Sequence, residues 1–198
     1  MRSYSPERHE WEMEIQTRYA LDIYRHIWRG CEIEEVDKEA MGNDFAKRRD
    51  FSGLDKIIKV NGNEIHLAQR FRKPRKDGRV VDFSFRYETP GLDGNPRKAE
   101  YFLLLEAYRE GYWYPNKYAF GITKGENIEC GGFTEFYVFN LSTLLEAIDN
   151  GKVTEIGIYP NRKQGVPDGS SGIYFRIGDL KDFVFWKLPK GQITLDFF

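Results

Sequence analysis

The carboxylate of Asp55 and the two residues Gln69 and Arg70 are the side chains of this chain best suited to phosphodiester chemistry. Asp55 lies in an otherwise apolar β-rich run, where a carboxylate is costly unless it is paired or binds a metal. A phosphodiester is anionic, so its hydrolysis needs a cation that stabilises the growing charge and lowers the pKa of a water molecule. Carboxylate oxygens are hard ligands that suit Mg²⁺.

A predicted β-hairpin brings these residues together. The runs LDKIIKV and EIHLAQRF are β-rich, and Asn61-Gly62 between them is the strongest short-range signal for a hairpin. A two-residue loop places Asp55 opposite Ala68, whereas a three-residue loop places it opposite Gln69. In either register the Asp55 carboxylate lies beside the part of the neighbouring strand that carries the polar Gln69 and the cationic Arg70.

An acid on one strand with an acid-x-Lys on its neighbour resembles the core of the PD-(D/E)xK restriction-like nucleases. In that family both acids hold a divalent metal and the lysine orients the attacking water. The pattern here is degenerate, because aligning Arg70 with the lysine leaves Ala68 at the second acid, and aligning Gln69 with the acid leaves Phe71 at the lysine. The resemblance implies catalytic roles for Asp55, Gln69 and Arg70, with Mg²⁺ or Mn²⁺ as the cofactor.

Two further acids are candidates for the metal site. The family often uses an acid on its first helix, and the resemblance points to Glu14, one turn from Trp11; the alternative is a solvated helix acid. If a strand over 81–88 pairs with the 64–72 strand, Asp82 lies near Gln69 and supplies the missing metal ligand; the alternative is a solvent-facing strand acid.

The segment RFRKPRKDGR carries six cations against one acid. Such a run is typical of a solvated loop, but beside a phosphodiesterase site it is also what contact with a DNA backbone requires. The predicted DNA-binding residues are Arg72, Lys73, Arg75 and Lys76.

The elements predicted around these residues alternate between helix and strand. An amphipathic helix runs from Ser5-Pro6-Glu7 to Gly30, and strands cover 54–60, 64–72 and 81–88. A helix over 98–110, a strand over 114–123, a strand over 136–139 and a helix with Ser142 as its N-cap follow, and 165–172 is predicted as a glycine-rich loop. This order predicts an α/β (α+β) fold with a mixed central sheet flanked by helices. Over residues 7–140 it also resembles the helix, three-strand, helix, strand order of the restriction-endonuclease-like core.

The C-terminal segment QITLDF resembles the hexapeptide with which bacterial proteins bind the sliding clamp. The predicted partner-binding residues are Gln192, Leu195, Phe197 and Phe198. The alternative is a last β-strand, since the apolar residues alternate. The predicted organisation is a single nuclease-like domain over 1–188 and a tail over 189–198.

The composition and charge of the chain limit the classes of protein to which it can belong. The 198 residues are 40% hydrophobic, enough for one core, and the net charge of −1 means that a nucleic-acid surface must be local. Two distant cysteines predict a reducing, cytoplasmic location, and no apolar run is long enough to span a membrane. We expect a metal-dependent DNA nuclease of replication, repair, recombination or viral DNA processing. The alternatives are a non-catalytic DNA-binding or scaffold module and a protein-interaction domain.

Overall fold

The computed structural model describes residues 6–36, 54–75, 82–90, 95–163 and 166–189. Its helices are α1 (Pro6–Ile15), α2 (Leu21–Ile27), α3 (Glu100–Glu110) and α4 (Leu141–Asp149), with a π-helical turn over Gln16–Ala20 and a 3₁₀ turn over Ile177–Phe183. The strands are β1 (Glu32–Glu35), β2 (Lys56–Val60), β3 (Asn63–Arg72), β4 (Phe83–Pro90), β5 (Pro96–Lys98), β6 (Lys117–Thr123), β7 (Phe133–Asn140), β8 (Gly157–Lys163), β9 (Val166–Phe175) and β10 (Val184–Lys187).

The fold is α+β, as the sequence predicts, and contains two sheets. The six-stranded sheet has the order β1-β2-β3-β6-β7-β10, and the four-stranded sheet has the order β5-β4-β9-β8. Among the strands that the structure describes, only β3 and β6 pair in parallel, and the chain between them includes α3; the other described pairs are antiparallel. The six-stranded sheet is therefore mixed.

The two faces of the six-stranded sheet pack against different layers because successive side chains of a strand point to opposite faces. Leu67 and Phe71 of β3 pack with the buried residues of α1 and α2. Ala68 lies in the other core, which contains buried residues from both sheets and from α3 and α4. Phe83 of β4 lies at the centre of this second core, with five aromatic ring centroids 4.8–6.4 Å from its own.

The N-terminal helix is continuous through the π-helical turn. The amphipathic pattern predicts a buried stripe of every fourth residue, and its members Trp11, Ile15 and Ile23 are buried. The extra residue of the π turn then moves the buried face by one position, so that Ala20 and Tyr24 are fully buried. The side chains that face the sheet from this helix therefore differ in part from those predicted by a uniform period.

Three local predictions were wrong. The 165–172 stretch belongs mainly to β9, since its backbone pairs with both β4 and β8. The N-cap of α4 is Asn140, and Ser142 lies inside the first turn. Gly30 lies beyond the helix, whose C-cap is Trp28. Gly111, in contrast, is the left-handed C-cap of α3 at φ 69°, as predicted.

Candidate functional site

The hairpin that carries the candidate site has the two-residue register. Val60 pairs with Asn63, and both loop residues have positive φ, 49° at Asn61 and 75° at Gly62, as a type I′ turn requires. Asp55 lies one residue before β2, and its backbone N–H donates to the carbonyl oxygen of Leu67 at 3.0 Å. The prediction that Asp55 lies beside the Ala68–Arg70 segment is confirmed.

The Asp55 carboxylate makes a specific contact with the neighbouring strand. Its Oδ2 accepts a hydrogen bond of 2.8 Å from the backbone N–H of Gln69. A hydrogen bond from a backbone N–H to a carboxylate is charge-assisted, and such bonds are stronger than those between two neutral groups. Asp55 therefore fixes the position of the backbone where β2 begins.

The side chain of Gln69 points toward the N-terminal helix and joins a chain of hydrogen bonds. The Tyr24 hydroxyl donates to Gln69 Oε1 at 2.9 Å, and Gln69 Nε2 donates to Gln16 Oε1. Gln16 Nε2 donates to Glu35 Oε1 at 3.2 Å, and the same oxygen accepts from Lys56 Nζ at 2.5 Å. We call these five residues the amide network.

The amide network is a buried polar layer between the helix and the sheet. Gln16 and Lys56 are each only 2% exposed, and Tyr24 is fully buried. Burial, together with the charge of Asp55, raises the pKa of Tyr24 well above its ordinary value, so the phenol keeps its proton and remains a donor. Every side chain of the network has a partner, which is the condition under which buried polar groups are tolerated.

Asp55 and the amide network offer few groups that could bind a metal ion. The amide oxygens of Gln16 and Gln69 already accept hydrogen bonds inside the network, and Asp55 is the acid next to them on the hairpin. Within the described ranges, no group of three or more His, Cys, Asp and Glu residues is arranged to hold a metal ion. Hydrolysis by the family's mechanism would need further anionic ligands here.

Arg70 lies on the opposite face of the sheet from Gln69. Its Nη1 donates to Glu100 Oε2 at 3.2 Å, and the Tyr118 hydroxyl donates to Glu100 Oε1 at 3.0 Å. The backbone N–H of Arg86 also donates to Glu100 Oε2, at 3.0 Å. Arg70 is 8% exposed, and its Nε has no hydrogen-bond partner among the described residues.

The charges around Arg70 hold it in the protonated state. Burial, which by itself lowers the pKa of Arg70, is outweighed by Tyr118 and Glu100, and the pKa is raised. The pKa of Tyr118 is also well above its ordinary value, through burial and the nearby Glu100 charge. Arg70 is thus one half of a buried ion pair and does not share a face with Gln69.

The two additional acids do not join Asp55. Glu14 is exposed and forms an i,i+4 ion pair of 3.0 Å with Arg18, and it is Gln16, two residues later, that reaches the sheet. Asp82 directly precedes β4, which pairs with β5 and β9 in the four-stranded sheet. The predicted pairing of the 81–88 strand with β3 is therefore wrong, because β6 occupies that side of β3.

Basic residues follow the carboxyl end of β3. Arg72 Nη2 donates to Ser84 Oγ at 2.8 Å, while Lys73 and Arg75 are exposed. Lys73 Nζ lies 5.0 Å from the centre of the Trp11 ring, which is a cation–π distance. Since β3 and β6 are parallel, Lys124 follows β6 at the same edge of the sheet. We call Lys73, Arg75 and Lys124 the sheet-end cations.

Two of the predicted interaction residues and segments lie outside the described residues. These are Lys76 and the tail from 190 to 198, which contains Gln192, Leu195, Phe197 and Phe198. The backbone N–H of Leu188 donates to the carbonyl oxygen of Phe136 at 2.9 Å.

The comparisons with known proteins assign no family to this chain. No protein-family model, no curated protein and no solved structure matches it. None of the helices in the described part of the chain has the length and apolar character needed to cross a membrane.

Proposed function

We propose that this protein is a DNA-binding module in which the nuclease-like site has a structural role and does not hydrolyse DNA. The order of elements supports the comparison with restriction-like nucleases. A helix, the antiparallel strands β1–β3, the helix α3 and the parallel strand β6 follow one another, with β4 and β5 inserted before α3.

The hydrogen bond between Gln16 and Gln69 is the observation that carries the proposal. Gln69 stands next to the position of the family's second acid, and Gln16 stands where the first helix approaches the sheet. Neutral amides in both places form one network with Tyr24, Glu35 and Lys56. Such a network stabilises the contact between helix and sheet and leaves a neutral amide, Gln69, on the strand segment beside the Asp55 carboxylate.

The sheet-end cations support contact with a phosphate backbone. Lysine and arginine side chains that neutralise phosphates release condensed counterions, and this supplies most of the sequence-independent affinity for DNA. Lys73 and Arg75 are exposed at the carboxyl end of a parallel strand, which is where open sheets commonly bind ligands. Because the chain as a whole has a net charge of −1, contact with DNA needs a local group of cations such as this one.

The test is the salt dependence of duplex binding, measured by fluorescence anisotropy of a labelled duplex. Each lost phosphate contact lowers the slope of log affinity against log salt by about 0.9, so Lys73→Ala with Arg75→Ala should lower it by about 1.8. The matched control, Lys152→Ala with Lys181→Ala, removes the same charge from exposed positions elsewhere. An unchanged slope in the first variant and a reduced slope in the control would refute the assigned surface.

A metal-dependent DNA nuclease is the second candidate, and the position of Asp55 beside Gln69 favours it. In this case the protein nicks plasmid DNA with Mg²⁺ or Mn²⁺, and Asp55→Asn abolishes nicking while the fold survives. Nicking that persists in excess chelator, or in the Asp55→Asn protein, would exclude Asp55 as a metal ligand.

Docking of the C-terminal tail on a sliding clamp is a separate proposal, supported by the QITLDF motif alone. Leu195→Ala with Phe197→Ala should abolish clamp pull-down and leave the melting temperature nearly unchanged. A large drop in melting temperature would instead place these residues in the core. The cytoplasmic location stays a prediction too, supported by the unpaired thiols of Cys31 and Cys130.

A further inference from the structure

The outer face of the four-stranded sheet carries two tyrosines and an exposed arginine. Phe83 and Phe85 of β4 and Ile173 of β9 point into the core, so the residues between them point outward. These outward residues and their cross-strand partners on β8 are Ser84, Arg86, Gly172, Tyr174, Gly157 and Tyr159. We call this set the tyrosine face.

The register arranges the tyrosine face in two rows. Arg86, Gly172 and Tyr159 lie side by side across β4, β9 and β8. Ser84, Tyr174 and Gly157 form the neighbouring row. Each row therefore holds one tyrosine and one glycine, in alternating order.

The glycines allow the tyrosine rings to lie along the sheet. A Cβ atom at Gly172 would be 2.9 Å from Tyr174 Cε2, and a Cβ atom at Gly157 would be 3.0 Å from the Tyr159 hydroxyl oxygen. Both distances are below normal van der Waals contact, so a larger residue would push the ring away from the backbone. The two tyrosine rings therefore lie along the sheet and do not protrude from it.

Tyr159 and Arg86 are the exposed residues of the tyrosine face, whereas Ser84 is fully buried. Tyr159 is 51% exposed, and its ring centroid lies 5.7 Å from that of Tyr174 at an interplanar angle of 63°. Arg86 is exposed on this face, and Arg176, which is also exposed, directly follows β9. The acid nearby, Glu88, accepts a hydrogen bond of 3.0 Å from the Ser171 hydroxyl.

The tyrosine face is linked to the carboxyl end of β3 through the buried Ser84. Arg72, whose Nη2 donates to Ser84 Oγ at 2.8 Å, connects the carboxyl end of β3 to the second row of the face. A polymer with regularly spaced anionic groups and flat apolar rings would complement the exposed guanidinium of Arg86 and the exposed ring of Tyr159. A single-stranded polynucleotide has this chemistry, and its bases are free to stack.

We propose that the tyrosine face binds a single-stranded polynucleotide. A base stacks on the exposed ring of Tyr159, and Arg86 contacts a phosphate of the same strand. Bases in a duplex are stacked on one another and present no open ring face, so this surface discriminates in favour of single strands. The inference rests on the proposed nucleic-acid function but uses other residues than the sheet-end cations that are assigned to duplex DNA.

The experiment compares binding of labelled oligothymidine, oligouridine and duplex DNA by the wild-type protein and by Tyr159→Leu. Leucine keeps an apolar side chain at an exposed position and removes the ring. Loss of one base–aromatic stack should weaken single-strand binding by about tenfold and leave duplex binding unchanged. Tyr112→Leu, at a tyrosine that is 62% exposed elsewhere on the surface, is the matched control and should bind like the wild type.

A second measurement does not depend on the variants. Photo-crosslinking of bromodeoxyuridine oligonucleotides, read by peptide mass spectrometry, should label the peptide that contains Tyr159. Wild-type affinity of Tyr159→Leu for both single strands, or crosslinks at Tyr112 and none at Tyr159, would overturn the inference. If duplex binding is absent while single strands bind through Tyr159, the sheet-end proposal fails and this inference stands; the reverse result refutes this inference alone.

Discussion

Removing the hydrogen-bonding capacity of Gln69 should destabilise the protein substantially. In Gln69→Met the side chain keeps its length and apolar volume but loses both hydrogen bonds. The fully buried Tyr24 hydroxyl then has no acceptor in Gln69, and Gln16, which is 2% exposed, loses the donor to its Oε1. A buried polar group without a partner costs about 1–3 kcal/mol, so two such groups predict a loss of about 3 kcal/mol.

The loss can be measured by urea unfolding and by the melting temperature. For a chain of this size, about 3 kcal/mol corresponds to a decrease of about 6–12 °C. The control is Glu64→Met, an exposed position on the same strand, which should change stability by less than about 0.5 kcal/mol. A Gln69→Met protein that melts within about 1 °C of the wild type would refute the structural role of the amide network.

A double-mutant cycle separates the network from its parts. Gln16→Met alone should also destabilise the protein, since it removes the partners of Gln69 and Glu35. If the two amides act as one unit, Gln16→Met with Gln69→Met costs less than the sum of the single changes, because each single change leaves the other amide unpaired, whereas the double change removes both amides. If the losses in free energy of unfolding of the two single variants add up to the loss of the double variant, the two amides do not interact.

Three further predictions concern stability. Glu100→Ala leaves the charge of Arg70 buried without its carboxylate and should cost about 3–5 kcal/mol in urea unfolding; a loss below about 1 kcal/mol would show that the pair is solvated. The pKa values of Tyr24 and Tyr118 are raised above their ordinary value of 10.0 in the folded state. Their contribution to stability is therefore fully present below about pH 10 and is lost as the pH rises through the folded pKa values. The free energy of unfolding should fall between about pH 8 and about pH 11, and it should fall less when both tyrosines are changed to Phe. Gly121→Ala would place a Cβ atom 2.6 Å from a phenylalanine ring of β7 and should lower stability by about 1–3 kcal/mol; a wild-type melting temperature would show that the ring moves without cost.

Local sequence signals were sufficient to predict the hairpin. Asn61-Gly62 forms a two-residue loop, the loop fixes the pairing of Val60 with Asn63, and this register places Asp55 beside the polar stretch of β3. Short-range backbone chemistry determines all of these features. The hairpin and the position of Asp55 beside the polar stretch are predicted from the hairpin sequence alone, whereas that sequence leaves open the choice between a two-residue and a three-residue loop.

Non-local pairing was not predictable in the same way. The strand that follows β3 in sequence has the alternation of a half-buried strand, but alternation does not specify the neighbour with which it pairs. The parallel partner of β3 is β6, more than forty residues later in the chain, and β4 pairs instead with β9. The assignment of Asp82 to the metal site depended on the wrong pairing and failed with it.

The residues of the amide network were missed for a related reason. A uniform helical period directs attention to Glu14 and Tyr19, whereas the π-helical turn brings Gln16 and Tyr24 to the sheet. A π turn has no clear sequence signature. One available signal was Gln16 itself, a neutral polar residue directly after the apolar Ile15 and next to the predicted buried stripe.

The most direct test of the proposed function measures duplex affinity and strand integrity in one experiment. Labelled duplex DNA is titrated with the protein over a series of salt concentrations, with Mg²⁺, with Mn²⁺ and with chelator, and the DNA is then analysed on a denaturing gel. We predict that affinity falls steeply with salt and that the strands remain intact in every condition. Metal-dependent cleavage that Asp55→Asn abolishes, or the absence of salt-dependent binding, would contradict a non-catalytic DNA-binding function.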